Sequence, residues 1–390
     1  MQPPRPTHPT GASAAEKPPK QAAEYHPYPF YSPRFWHGMR TGTWWRLLAE
    51  NRWRAHPSRW AMVGTVSMAA PFNDSLWLLQ QALYGRRLRN AELVAPPLFI
   101  LGHWRSGTTL LHELVNKDPR LGCPSTYQCF APHHFLVSEW FFRTFASWLL
   151  PSKRPMDNME AGWDRPQEDE FALMNLGAPS PYRRIAFPNN PPPDLQYLDW
   201  TDIDPQQEQQ WVDYLRRFLL AVSYRSERRV VLKSPTHTGR IGVLSRAFPG
   251  AKFLHITRDP RSLFPSTCRL WQSLDQVQAF QVPDPEPLEA YVIECFRRMY
   301  TGFHRDVDAL SSDQIVHVRY EDLVADPVAT LEHIYDALQL DDFAAVRPEL
   351  QAWADNQHRE YKTNRHHLPA ETEARIKTEW ADYFERYGYL

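Results

Sequence analysis

The sequence predicts an α/β fold, a parallel β-sheet flanked by helices, with additional helices ahead of it. Short apolar runs fall at 97–102 (PLFILG), 228–234 (RRVVLKS), 251–259 (AKFLHITRD) and 314–323 (QIVHVRYEDL), each parted from the next by sequence of helical character. Strands that alternate with helices imply a parallel sheet covered by those helices. The first run passes through a short loop into TTLLHELVNK, where Leu110, Leu111, Leu114 and Val115 recur at helical spacing.

Taken in order, residues 1–29 are rich in Pro, Ala and Lys and cannot bury enough surface to offset chain entropy, so a disordered tail is expected. Residues 30–390 are expected to form one domain. Within it, 30–95 carries helices dense in Trp and Arg (TWWRLLAENRWR, DSLWLLQQALYGRRL) that should pack outside the sheet; 96–340 is the α/β core, and 341–390 a closing segment. The PNNPPPD stretch makes 182–200 a rigid loop, whereas PQQEQQWVDYLRRFLLAVSYR (205–225) reads as a helix begun at a proline.

A chain of 390 residues with 43% hydrophobic content can build a large core. Its 44 Lys and Arg balance 45 Asp and Glu, so no global field draws it to nucleic acid, and any anion site must be local. Four cysteines (123, 129, 268, 295), without a CxxC pair or zinc-type His spacing, indicate neither a disulfide framework nor a structural metal. The first residues lack the apolar centre of a signal peptide, and no apolar run of about 18 residues is long enough to span a bilayer. A cytoplasmic protein is expected.

GHWRSGTTLL (102–111) runs from a strand into a helix and sets small residues where backbone amides can converge on an anion. It resembles a P-loop. An NTPase would carry Lys after the second glycine, but Thr108 and Thr109 follow Gly107, and a cation stands earlier, at Arg105. A tight strand-to-helix turn with Ser106 as its N-cap would read the same way. In AKFLHITRDPRSLFPS, Arg258 leaves a strand at its carboxyl edge, and Ser266 follows eight residues later. For these two the alternatives are a strand-end salt bridge and a solvated helical serine.

The RSGTT loop, the Arg258–Ser266 pair in the same order, and the LKSPTH and VRYEDLVADP segments together resemble the sulfotransferases that use 3'-phosphoadenosine 5'-phosphosulfate (PAPS), over roughly residues 97–340. The resemblance implies a P-loop-type α/β sheet with PAPS across the carboxyl ends of the strands. Arg105, Ser106, Gly107, Thr108 and Thr109 would hold the 5'-phosphosulfate, and Arg258 and Ser266 the 3'-phosphate. Tyr361, Lys362, Asn364 and Arg365 would close over the nucleotide, a stretch that an ordinary polar surface loop would also explain. Metal-independent in-line transfer would release PAP, the desulfated nucleotide.

Such a transfer needs a base for the acceptor proton and a cation for the leaving oxygen. Arg105 and Lys233 are the available cations, Lys233 reading equally as a solvated strand-end lysine. Many relatives carry Glu soon after the first helix, but PSTYQCFAPHHF shows Gln128 there, and an amide takes no proton at neutral pH. The role then passes to DRPQEDEFAL, where Glu168 and Glu170 open a helix near Pro166, with His134 next in order and His103 and His133 also considered. Acids in a first turn serve helix electrostatics equally well.

HHFLVSEWFFRTFASWLLPSKRP (133–155) is rich in Phe, Trp and Leu with few charges. It suits core packing, the wall of an apolar acceptor pocket, or a peripheral membrane contact. The acceptor can accordingly be a small molecule, a carbohydrate or a lipid. Two rival readings stand beside this one: a P-loop kinase or NTPase needing Mg²⁺, and a non-catalytic PAP-binding protein.

Overall fold

The computed structural model describes residues 28–29, 31–150, 162–357 and 368–390. All but the last two residues of the expected Pro-rich tail lie outside these, as do Lys153, Arg154, Tyr361, Lys362, Asn364 and Arg365.

Among the described residues five parallel strands form one sheet in the order β2-β3-β1-β4-β5: β1 Leu98–Leu101, β2 Leu121–Gly122, β3 Arg229–Lys233, β4 Lys252–Thr257 and β5 Ile315–Arg319. Four match the apolar runs of the sequence. The edge strand β2, two residues long, has no apolar run to announce it.

Among the described residues sixteen α-helices surround the sheet. Those up to the middle of the chain are α1 Thr41–Glu50, α2 Trp60–Arg89, α3 Thr108–Val115, α4 Thr126–Phe130, α5 Phe135–Phe145, α6 Asp169–Leu176, α7 Gln196–Asp199 and α8 Pro205–Ser226. The later ones are α9 Ile241–Ala247, α10 Pro260–Gln278, α11 Leu288–Asp306, α12 Tyr320–Ala325, α13 Pro327–Ala337, α14 Arg347–Gln357, α15 Ala370–Glu379 and α16 Ala381–Arg386.

Strand side chains alternate between two cores, which is why the runs are apolar throughout. Phe99, Leu101, Leu232 and Phe253 face the larger core, built with α6, α8, α10, α11 and the N-terminal helices. Leu98, Ile100, Val231 and Leu254 face the smaller one, with Leu111, Leu114 and Val115 of α3 and the apolar side of α13. The N-terminal helices enter through Trp36, Trp44, Leu47 and Val66, and Trp36 and Trp44 pack on Phe280 at 5.8 and 5.1 Å.

Helix α8 starts where the sequence predicts, Asp204 accepting from the Gln206 and Gln207 amides at 2.9 Å. The 182–200 stretch is only partly a loop. A 3-10 turn at Pro181–Ala186 and the short α7 give it structure, and the Ser180 hydroxyl accepts from the Tyr182 amide to start that turn. The acidic helix α6 begins at Asp169 rather than near Pro166, because Glu168 is still extended (φ −72°, ψ 123°) and Pro166 bridges to Ser125.

The central strand β1 lies between β3 and β4, so the chain reverses its direction of sheet growth there. Crevices for ligands open at the carboxyl ends of strands at such a switch point. Three adjacent strands deliver candidate site residues to that edge: Lys233 ends β3, the 102–107 loop follows β1, and Arg258 follows β4.

Candidate active site

The loop between β1 and α3 is built by backbone conformation that two glycines permit. Gly102 has φ +145° and Gly107 φ +105°; a Cβ on Gly102 would stand 2.6 Å from the Ile256 carbonyl oxygen, and one on Gly107 2.4 Å from the Tyr320 ring. Arg105 also adopts a positive φ, +68°. Gly107, not Ser106, is the N-cap of α3. The Ser106 hydroxyl is fully buried and donates to the His103 carbonyl at 2.7 Å, bracing the loop from inside. The Gly102 amide is held by Thr238 Oγ1 at 2.8 Å. Helix geometry leaves the first amides of α3 without an intrahelical acceptor, at the positive end of its dipole.

The two arginines of the sequence lie together. Arg258 Nη1 donates to the Arg105 carbonyl at 2.9 Å, and Arg105 Nε donates to Ser266 Oγ at 3.0 Å. Arg258, Arg105 and Ser266 therefore form one cationic ledge across β1, β4 and α10. The Arg258 guanidinium also covers the Tyr320 ring at 4.1 Å, and its backbone is clamped by Tyr383 of α16, whose hydroxyl accepts from the Arg258 amide at 3.1 Å and sits 3.2 Å from its carbonyl oxygen.

Beside this ledge opens a cavity lined on one side by Arg105, Thr108 and Thr109. Its lining also includes Phe35, Phe130, Trp163 and Phe171, with Leu270 and Leu274 from α10. Glu168 and Tyr182 lie in its wall. Lys233 Nζ donates to Glu168 Oε1 at 2.7 Å and reaches Thr109 Oγ1 at 3.5 Å. The Tyr182 hydroxyl donates to Glu168 Oε2 at 2.5 Å and accepts from Trp104 Nε1 at 2.8 Å. Burial, followed by the negative charge of Glu168, pushes the Tyr182 phenol well above its ordinary range, so it remains a donor at any working pH.

The three acids of the 168–170 cluster diverge. Only Glu168 faces the cavity. Asp169 accepts from Ser234 at 2.8 Å and pairs with His237 Nε2 at 2.6 Å, both fully buried. Glu170 accepts from Arg240 at 2.6 Å, Ser180 at 2.5 Å and Thr236 at 2.7 Å, with nothing of it exposed. Burial alone would raise both carboxyls, but the opposing charge and hydrogen bonds of His237 and Arg240 hold them below the usual carboxylate range. The candidate base Glu170 is thus occupied by a buried ion pair away from the cavity.

His134 likewise lies elsewhere, between Ser138 (2.8 Å) and Asn73 (3.1 Å), and burial lowers it to about 4. His133 is bound to the Asn175 carbonyl at 3.0 Å, and burial lowers it and His103 to about 3. Gln128 closes a capping box with Ser125, its side-chain oxygen accepting from the Ser125 amide at 3.1 Å, and donates to Glu139 at 3.3 Å. Among the described residues no group of three or more His, Cys, Asp and Glu could hold a metal ion.

Sequence reasoning missed Trp104 and Tyr182. Trp104 sits inside the loop motif, where its ring was silent; Tyr182 comes fourteen residues after Glu168 and no spacing rule joins them.

A family model described as "Sulfotransferase family" matches residues 96–345. The chain belongs to the sulfotransferase family. This sulfotransferase is 40% identical over 354 residues to an omega-hydroxy-beta-dihydromenaquinone-9 sulfotransferase, Stf3, of Mycobacterium bovis and of Mycobacterium tuberculosis, with 91% of either chain covered. Its fold resembles the crystal structures of sulfotransferase STF9 from Mycobacterium avium (TM-score 0.61, 20% identity, 80% of this chain and 81% of that one) and STF1 from Mycobacterium tuberculosis (TM-score 0.55, 20% identity, 83% and 85%). The kinase reading of its phosphate loop and the non-catalytic reading both give way: the protein is a sulfotransferase enzyme.

Proposed function

We propose that this sulfotransferase takes its sulfuryl group from PAPS and transfers it to the hydroxyl of an apolar acceptor, with Glu168 receiving the hydroxyl proton. One observation carries the reading. The Lys233 ammonium touches both Thr109 of the phosphate loop and Glu168 in the wall of the apolar cavity, so a donor-side group and an acceptor-side carboxylate meet at a single cation.

The donor set suits a nucleotide with phosphate at two places. Two guanidinium groups, the Ser266 and Thr109 hydroxyls and the α3 amides from Gly107 to Thr109 converge at this ledge. Arg258 and Ser266 would take the 3'-phosphate, and Arg105 with Thr108 and Thr109 the 5' end; Tyr361 and Lys362 complete the proposed set. When bound, PAPS supplies a sulfur–oxygen bond that breaks to leave a phosphate oxygen. Lys233 and Arg105 would neutralise that oxygen. Ser106 acts as a brace for the loop.

Glu168 holds its carboxylate by two donors, Lys233 and Tyr182, one to each oxygen, which fixes its direction and leaves lone pairs free toward the cavity. The apolar walls exclude water from the attacking hydroxyl and favour an alcohol on a hydrophobic body over a sugar. The name of the Mycobacterium relative, which acts on an omega-hydroxylated menaquinone, supports an acceptor of this kind. Among the described residues no helix is long and apolar enough to cross a membrane, and the four cysteines are free thiols; we place the enzyme in the cytoplasm, where thiols stay reduced.

The test is turnover of labelled PAPS with long-chain prenyl or alkyl alcohols against sugars and phenols, beside thermal shifts with PAP and with ATP plus Mg²⁺. PAP should stabilise the protein and long alcohols should be sulfated. Stabilisation by ATP–Mg²⁺ alone would remove PAPS as donor, and sulfation confined to sugars would remove the apolar acceptor.

A further inference from the structure

The exposed apolar residues of this protein are not scattered. Of 16 large hydrophobic side chains exposed among the described residues, 14 fall between Tyr31 and Trp148, and only Val282 and Leu390 lie beyond. Single exposed apolar residues are ordinary, but a concentration on one layer marks an interaction surface.

Two features shape this layer. On α2, Met68, Phe72, Leu79 and Leu83 are exposed at spacings of four, seven and four, a single stripe along the helix, and Arg86 continues it five turns from Met68. From α5 into the 3-10 turn Ser147–Leu149, Trp140, Phe141, Phe145 and Trp148 are exposed within nine residues; Trp140 and Trp148 keep 71% and 67% of their surface in solvent. The two helices are joined, since the Gln80 side chain of α2 accepts from the Leu136 amide of α5 at 2.9 Å.

The charge of the same layer identifies its partner. Residues 31–91 hold nine arginines, no lysine and two acids, a surplus of seven positive charges in a chain whose net charge is −1. Both acids are already paired, Asp74 with Arg40 and Glu50 with Arg183. Six of the arginines, at 46, 52, 54, 86, 87 and 89, are exposed. Exposed Trp and Phe beside exposed Arg, with both acids of 31–91 paired and Glu92 the exposed acid that follows them, is a composition that suits the headgroup region of an anionic bilayer.

The layer also reaches the cavity. Leu150, in the cavity wall, is two residues from Trp148. The strap that carries Tyr28, Pro33 and Phe35 into that wall is tied to the same turn, Ser32 Oγ donating to the Leu149 carbonyl at 2.6 Å and Tyr31 packing on Trp148 at 5.9 Å.

We propose that the arginine-rich layer of α1, α2 and α5 docks on an anionic phospholipid surface and sets the mouth of the acceptor cavity at the lipid. The purpose of docking, delivery of an alcohol dissolved in the bilayer, rests on the apolar-acceptor reading above; the docking itself does not.

The experiment is sedimentation of the full chain with phosphatidylcholine vesicles, with and without phosphatidylglycerol, in the absence of PAPS and acceptor. Anionic vesicles should carry the protein down and neutral ones should not, and binding should fall when salt is raised to about 1 M, where the screening length shrinks to about 3 Å. Replacing Arg86, Arg87 and Arg89 by Gln should weaken binding about a hundredfold, the equivalent of three arginines at about 1 kcal/mol each. A Trp140→Ser, Trp148→Ser double variant should also weaken it. None of these residues lines the cavity, so both variants should keep wild-type turnover of a detergent-solubilised alcohol. No sedimentation with anionic vesicles, or sedimentation unchanged in both variants, overturns the proposal. So does a dimer, seen by light scattering, that the tryptophan variant splits while vesicles go unbound, since a second copy then covers the face. If vesicles bind as expected and no alcohol is turned over, the docking stands and the acceptor reading fails.

Discussion

Glu168 and Lys233 meet at 2.7 Å where the phosphate loop adjoins the apolar cavity, and this contact joins the end of β3 to the residue that precedes α6. The same two segments are stitched twice more, by Asp169 to Ser234 and His237 and by Glu170 to Thr236 and Arg240. The rigid pairs behind it leave Glu168 little freedom to turn away from the cavity.

A base at this position should be indispensable for chemistry and nearly irrelevant to donor binding. Glu168→Gln keeps the shape, its one amide oxygen accepting from Lys233 while its NH2 turns to the Tyr182 hydroxyl, so kcat should fall about 10²- to 10⁴-fold, the usual worth of a positioned general base. PAP affinity measured by calorimetry should change little. Activity within a few fold of wild type would move the base elsewhere.

The cationic ledge makes a separate forecast. Arg105→Ala and Arg258→Ala should each weaken PAP binding roughly tenfold or more, the scale of one lost charge-assisted contact. Because Arg258 Nη1 holds the Arg105 carbonyl at 2.9 Å, the two losses should not be independent, and the double variant should lose less than the product of the singles. Unchanged PAP binding in both singles would remove the ledge from the donor site.

The strands, the glycine-built turn after β1 and the position of Arg258 at the end of β4 were legible because each is local: an apolar run, a glycine-spaced turn, a cation at a strand end. Glu168 could be singled out only together with Glu170, since both are acids in one short stretch. Their separation depends on which way each Cα–Cβ bond points once α6 starts at Asp169, and on Arg240 seventy residues later. Tyr182 was hidden because its partners, Trp104 and Glu168, come from two other segments. His134 drew notice as a titratable group, yet Ser138 and Asn73 hold it in the layer between α2 and α5. Composition showed that 133–155 is aromatic, but not which rings face solvent, because core and interface use the same residues.

Glu170 and Arg240 should control stability rather than chemistry. Both are wholly buried, so Arg240→Leu leaves a carboxylate without its partner, at a cost of about 3–5 kcal/mol. Denaturant midpoints should drop accordingly. Glu170→Gln, whose single amide oxygen can replace only one of the two carboxylate acceptors of Ser180 and Thr236, should lower the midpoint while kcat per folded molecule stays near wild type. A loss of kcat as deep as that of Glu168→Gln, with stability unchanged, would return Glu170 to the catalytic roster.

Acid should weaken the fold earlier than its carboxylates alone would require. Burial lowers His103 and His133 to about 3, and both stay neutral in the native state. In the unfolded chain they take up a proton near the ordinary value of about 6.5, so below that pH the unfolded state binds more protons and stability falls. Each fully buried histidine should forfeit about 1.4 kcal/mol for every pH unit below that value, or nearly 3 kcal/mol for the pair at about pH 5.5. Asp169 and Glu170 act lower: their native values are depressed, so their contribution is complete above the usual carboxylate range, about 4, and is lost only as pH falls through the native values. Urea unfolding between about pH 7.5 and pH 5 reads this effect together with the same-signed one of His37, His134 and His304, lowered to about 4, and against a smaller opposing one from Asp275, which burial raises to about 6 so that the native state takes up its proton first. A free energy that stays flat across that range would mean that His103 and His133 are protonated or hydrated in the native protein, contrary to the burial of both rings.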